Sequence, residues 1–245
     1  MKNSRLAASI GTLASVLAWV DGPKTALACG VTAGGAAGIS GCSLSEHEEA
    51  ARRKWHVGAS YSFTSTALRF TGDQRVDEER HASLVTLDYR PTSTLTLEGA
   101  AGLLLGGHIS TPSARYDFAP GFVSAIGGSW RVVDARGAIP FVLLTATISY
   151  ASTATQGVGY NAFDARGGVV IGTTFWDVLT PYAVGRAFGG PVYWRYNGAA
   201  VTGTDVYHYQ VGVGLSLLLG RRVDLFAEGV PLGERGVAAG GGFSF

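Results

Sequence analysis

Asp88, Glu98, Arg131, Asp164, Arg166, His208, Asp224 and Glu228 are the residues with the means to do chemistry, and each falls on the polar parity of its segment. Carboxylates, guanidinium groups and an imidazole gathered in one interior have three uses. Opposite charges can pair and seal a core, because an unpaired buried charge is costly. They can instead line a narrow conduit for ions or small solutes. A carboxylate beside an imidazole could also run acid–base catalysis. The mixed signs favour the paired core, with the conduit and the catalytic site as alternatives.

Other motifs add little. The five histidines are scattered along the chain. Gly34-Gly35 and Gly240-Gly241-Gly242 are not followed by Lys-Ser or Lys-Thr, so they are not phosphate loops. Cys29 and Cys42 alone cannot build a structural zinc site, which takes four ligands. No cofactor is implied. Asp205 and His208 lie three residues apart, which on a strand turns them to opposite faces.

The elements that must position these groups are strands. In a strand successive side chains point to opposite faces. Trp55, Val57, Ala59, Tyr61 and Phe63 share one face, and His56, Gly58, Ser60, Ser62 and Thr64 the other. Val85, Leu87 and Tyr89 oppose Thr86, Asp88 and Arg90. The clearest alternation sets Tyr209, Val211, Val213, Leu215 and Leu217 against Gln210, Gly212, Gly214 and Ser216. Similar patterns over residues 94–105, 121–132, 139–152, 163–175, 179–188, 223–228 and 237–245 bring the expected total to ten, with eight as the alternative. In the seventh segment Arg186 falls among Tyr182, Val184 and Phe188, and its face stays unassigned.

Connections alternate in length. Residues 71–79, 109–118, 153–160 and 190–205 read as long loops, and 91–93, 134–137, 176–178 and 221–222 as tight turns. The charged stretch Asp73-Gln74-Arg75 and Asp77-Glu78-Glu79-Arg80 reads as a solvated first loop. The longest loop starts with Pro191, Val192, Tyr193, Trp194, Arg195 and Tyr196. Exposed Tyr, Trp and Arg are enriched at binding hot spots, so Tyr193, Trp194, Arg195 and Tyr196 are candidate outer contacts; a membrane-interface girdle is the other reading.

At the amino terminus Lys2 and Arg5 precede an apolar run over residues 6–20, then Ala26-Leu27-Ala28. This is the pattern of a secretory signal peptide, expected over residues 1–28. In an exported chain Cys29 and Cys42 are expected to form one disulfide; lipidation of Cys29 is the alternative. Residues 29–54 read as a Gly-rich periplasmic lead-in and a short polar helix, with Ser45 and Glu48 as its capping box. Lys2, Arg5 and Lys24 against Asp21 make the leader +2, so of the chain's formal +1 the rest carries about −1. That balance gives no reason to expect nucleic acid. Charged residues are 15% of the chain, against roughly 25% in soluble domains.

Val237, Ala239, Gly241, Phe243 and Phe245 share a face at the carboxyl end, closing on an aromatic. This resembles the terminal strand of bacterial outer-membrane β-barrels, which the barrel-assembly machinery reads. The resemblance covers residues 55–245 and implies an all-β, transmembrane, antiparallel up-and-down barrel in the outer membrane of a Gram-negative-type bacterium. Outer-membrane lipid, that machinery through Phe245, and envelope proteins are the expected partners. In strand number the chain is also similar to omptin-type proteases, but no Asp-x-Asp follows residue 28. The expected function is a non-catalytic structural or docking component of the envelope. A narrow channel or transporter is the alternative, and an outer-membrane hydrolase the third reading.

Overall fold

Main-chain N–H and C=O groups find no partners in lipid, so a spanning sheet has to close on itself. The computed structural model describes residues 29–31, 40–42, 53–135, 139–196, 198–220 and 222–245. Among these, all regular secondary structure is strand. The expected signal peptide and polar helix lie outside the described residues.

Ten long strands form the barrel: β3 (Trp55–Phe70), β4 (Gln74–Tyr89), β5 (Leu95–Ser110), β7 (Gly121–Val133), β8 (Phe141–Thr155), β9 (Val158–Gly172), β10 (Leu179–Gly189), β13 (Tyr209–Leu219), β14 (Val223–Gly233) and β15 (Arg235–Ser244). Each is antiparallel to its neighbours, and β15 pairs with β3 to close the ring. The seam is completed by Phe245, whose N–H donates to the Trp55 carbonyl at 3.0 Å while the Trp55 N–H donates to the Phe245 carbonyl at 3.3 Å. Before the barrel, β1 (Cys29–Val31) and β2 (Ser40–Cys42) form a small antiparallel ladder whose register sets Cys29 opposite Cys42.

Several expected loops are strand. The stretch over residues 71–79 is a turn followed by β4, which starts at Gln74. The β8–β9 connection shrinks to a turn at Gln156 and Gly157. The charged stretch at 73–80 is therefore not a solvated loop: Glu78 and Arg80 point inward and are buried. The expected loop over 190–205 is a hairpin of β11 (Val192–Tyr196) and β12 (Ala199–Asp205). A short β6 (Arg115–Asp117) pairs with β5 in the preceding long connection.

That hairpin changes the barrel's girth. One edge of β9 pairs with β10 over residues 165–172 and with β11 over 160–162. One edge of β3 pairs with β15 over residues 56–65 and with β12 over 68–70. Near the end remote from Trp55 and Phe245, the four strands β10, β13, β14 and β15 thus give way to β11 and β12. The ring narrows there from ten strands to eight.

The polarity of the wall reverses at about the same height. Along the first part of β3, Trp55, Val57 and Tyr61 face out while His56, Ser60, Ser62 and Thr64 face in. Further along, Leu68 and Phe70 face in and Arg69 faces out. On β4, Val85 and Leu87 face out near the terminal end, whereas Arg75 and Asp77 face out beyond it. The terminal section is apolar outside, the pattern of a lipid-facing barrel wall. The remote section is built like a water-soluble barrel, around a core that includes Leu68, Phe70, Val76, Leu104, Ile109, Phe118, Tyr160 and Trp194.

Candidate functional site

The polar groups of the barrel interior form three clusters. At the terminal end β3 places His56 between two carboxylates: Nδ1 lies 2.7 Å from Asp88 Oδ2 on β4, and Nε2 lies 2.8 Å from Asp224 Oδ1 on β14. All three side chains are sealed, at 1%, 0% and 2% exposure. Glu98 and Arg131 are buried in the same half, and Arg131 Nη1 reaches Asp134 Oδ1 at 3.3 Å.

In the middle, Arg186 of β10 meets Glu228 of β14 through two bonds, Nη1 to Oε1 at 2.8 Å and Nη2 to Oε2 at 2.9 Å. The Tyr182 hydroxyl also donates to Glu228, at 3.2 Å. Next to the apolar core, Arg166 bonds both Asp164 and Glu234, the latter at 2.8 Å. Tyr160 donates to Glu78 Oε1 at 2.6 Å, and Arg80 Nε lies 3.4 Å from the same oxygen.

Such large side chains fit because the facing wall is glycine. A Cβ on Gly242 would lie 2.0 Å from His56 Nε2, and one on Gly214 would lie 2.2 Å from Tyr182 Cζ. The small residues of β13 and β15 thus leave volume that longer side chains from other strands fill.

Of the residues expected in this interior, Asp88, Glu98, Arg131, Arg166, Asp224 and Glu228 are buried there, and Asp164 is half-buried beside Arg166. His208 is not among them. It is exposed, just before β13, with Nδ1 3.2 Å from the Phe188 carbonyl. Asp205, the nearby acid, instead accepts a long bond of 3.5 Å from Thr66. Trp194 is not an outer contact: it faces inward, buried, and its Nε1 donates to Thr155 Oγ1 at 3.0 Å. Tyr193 and Arg195 are exposed on the opposite face of β11. The side chain of Tyr196 lies outside the described residues.

Sequence reasoning missed His56, Glu78, Arg80, Tyr160, Arg186 and Glu234. His56 was legible, since it shares the inward parity of Ser60 and Ser62. Glu78 and Arg80 were hidden inside a charged run.

This arrangement is suited to holding strands together. Both ring nitrogens of His56 are occupied by buried carboxylates, so neither faces an outside proton donor or acceptor. No group of three or more His, Cys, Asp or Glu among the described residues is placed to hold a metal ion.

No protein-family model matches the chain. No curated protein matches it either. Among solved structures it is similar to the outer membrane protein OprG from Pseudomonas aeruginosa, at 9% identity over 79% of this chain and 96% of that one, with a TM-score of 0.43. It is similar to the outer membrane protease OmpT from Escherichia coli at 9% identity, covering 78% and 97%, TM-score 0.44. The translocator domain of the autotransporter NalP from Neisseria meningitidis gives 13% identity, 82% and 90%, and 0.44. Likenesses of this size carry no activity from those proteins to this chain.

Proposed function

We propose that this chain is a non-catalytic barrel of the bacterial outer membrane, serving as a structural or docking component of the envelope. The terminal end, with Trp55 and Phe245, faces the periplasm, and the β11–β12 hairpin faces outside. Export by a signal peptide over residues 1–28 and delivery through the barrel-assembly machinery belong to the same reading. The apolar belt around the terminal section supports membrane placement, because exposed Val85, Leu97, Ile126, Ile148, Val213 and Val237 would otherwise meet water.

The observation that carries the non-conducting reading is the sealing of the interior. His56, Asp88, Asp224, Glu228, Arg186 and Glu234 face inward, yet each is at most 4% exposed. In a water-filled bore these side chains would be wetted. Phe70, Trp194, Phe118 and Tyr160 then cork the remote end.

A narrow conduit is the second reading. Asp88 Oδ1 and both amide atoms of Gln210 are buried without a hydrogen-bond partner among the described residues, and water would satisfy them.

Single-channel recording of the purified full chain in a planar bilayer separates the two. A silent bilayer is the expected result. Steady conductance that changes ion preference when Asp88 and Glu228 are made neutral would overturn the docking reading. Affinity capture from the native envelope, with and without residues 29–54, tests docking. Partners that disappear on deletion are expected if the periplasmic segment carries the contact.

A further inference from the structure

The step from ten strands to eight leaves a hollow in the outer side of the wall. Above the ends of β13 and β14, a cavity of about 670 Å³ opens between the top of β3, the β10–β11 joint and β12. Arg69, Phe70, Pro191, Thr204 and His208 are among its lining residues. Its position is set by the polarity reversal of the wall. On β3, Arg69 lies beyond the last lipid-facing aromatic, Phe63, on the same outward face. Tyr193 and Tyr209, both exposed, flank the hollow two residues from Pro191 and one from His208. Outward tyrosines mark the membrane–water interface, so the hollow sits at headgroup height.

Charge supplies an independent pointer. The β3–β4 register puts Arg69 directly opposite Arg75, both facing out. Like charges directly opposite on one face of a sheet repel and destabilise it. Nearby compensation is weak. Asp73 Oδ1 lies 3.3 Å from Arg69 Nε, but both groups are exposed, where such pairs contribute little. Arg75 packs over the Tyr207 ring at 6.0 Å, and Asp77 and Glu79 are the outward acids further along β4. The Phe188 carbonyl can only accept, so His208 donates to it from Nδ1, and Nε2 of the neutral ring is left as an acceptor for an O–H or N–H of a ligand. An anion with several oxygens would relieve the Arg69–Arg75 repulsion, since guanidinium forks match phosphate geometry.

We infer that this hollow seats the phosphate-bearing headgroup of an outer-leaflet lipid, held by Arg69 and His208 of its lining and by Arg75, which lies outside the lining but directly across the β3–β4 ladder from Arg69. Pro191 gives the hollow an apolar edge. The site rests on the outer-membrane placement and orientation proposed above, and is independent of whether the barrel conducts.

The test is native mass spectrometry of the full chain, folded in detergent and offered diphosphoryl lipid A or its dephosphorylated form. Variant R69A/R75A removes the guanidinium donors, and H208A removes the imidazole acceptor. R115A removes an arginine that is equally exposed but distant in sequence from the hollow. The mobility difference between boiled and unboiled samples confirms that each variant is folded. Wild type and R115A are expected to retain one phosphorylated lipid, R69A/R75A at least about fivefold less, and H208A less than wild type. Equal retention by R69A/R75A and wild type would overturn the site. So would equal retention of the dephosphorylated lipid, an equal loss in R115A, or displacement by excess inorganic phosphate, which would make it a site for the free ion.

Discussion

Arg186 and Glu228 grip each other through two parallel bonds across the interior, joining β10 to β14 over the intervening β13. The pair is fully enclosed. Removing Glu228 strands a guanidinium out of reach of water, and truncation of one partner of such a pair costs about 3–5 kcal/mol. E228A is expected to lower the urea midpoint of the detergent-folded barrel sharply. R186M/E228L should recover much of the loss, because an apolar pair leaves no orphan charge. Tryptophan fluorescence through the urea transition reads both.

His56 separates two carboxylates that would otherwise share a dry space. H56A should therefore destabilise more than an ordinary histidine truncation, and D88N/D224N in that background should restore stability. The temperature at which the unboiled gel species disappears reports the order. An H56A barrel as stable as wild type would mean that His56 does not hold β3, β4 and β14 together.

Trp194 and Tyr193 are neighbours on β11 with opposite surroundings. W194A removes a buried indole that packs against Phe70 and Tyr116, at ring distances of 5.7 and 5.3 Å. Such truncations cost about 3–5 kcal/mol. Y193A removes an exposed ring and should cost under about 1 kcal/mol. Parallel denaturant titrations of the two variants measure the contrast.

The β9–β10 turn holds Trp176 and Asp177 at φ of 54° and 56°, a region that bulky side chains avoid. Trp176 is also 79% exposed. Replacing the pair by Asn-Gly should stabilise the barrel by roughly 1 kcal/mol, because those residues accept that conformation at little cost. A destabilised W176N/D177G barrel would show that the exposed indole contributes more than the backbone loses.

Ten strands and the facing of most of them were readable from alternation, because lipid on one side and polar packing on the other write a strict period of two. The rule failed where the outward face turns from apolar to charged. In β4, outward Arg75 and Asp77 alternate with inward Val76 and Glu78, and a stretch with so many charges looks like a loop. In β11 the inward set is Val192 and Trp194, the reverse of the membrane section, so Trp194 passed for a surface contact. Arg186 could not be placed because Tyr182, Val184 and Phe188 are also inward. The partnerships inside the barrel join strands remote in sequence, such as Tyr160 with Glu78, and no local pattern encodes them.

The switch in wall polarity fixes a ruler on the molecule. From Trp55 to Phe63 the outward face of β3 suits hydrocarbon, matching the roughly 9–11 residues a tilted membrane strand needs. A thicker bilayer would press acyl chains onto Arg69, Arg75 and Asp77, which cannot retreat because the sheet is continuous there. The height of that apolar band sets the bilayer thickness the wall would meet without mismatch.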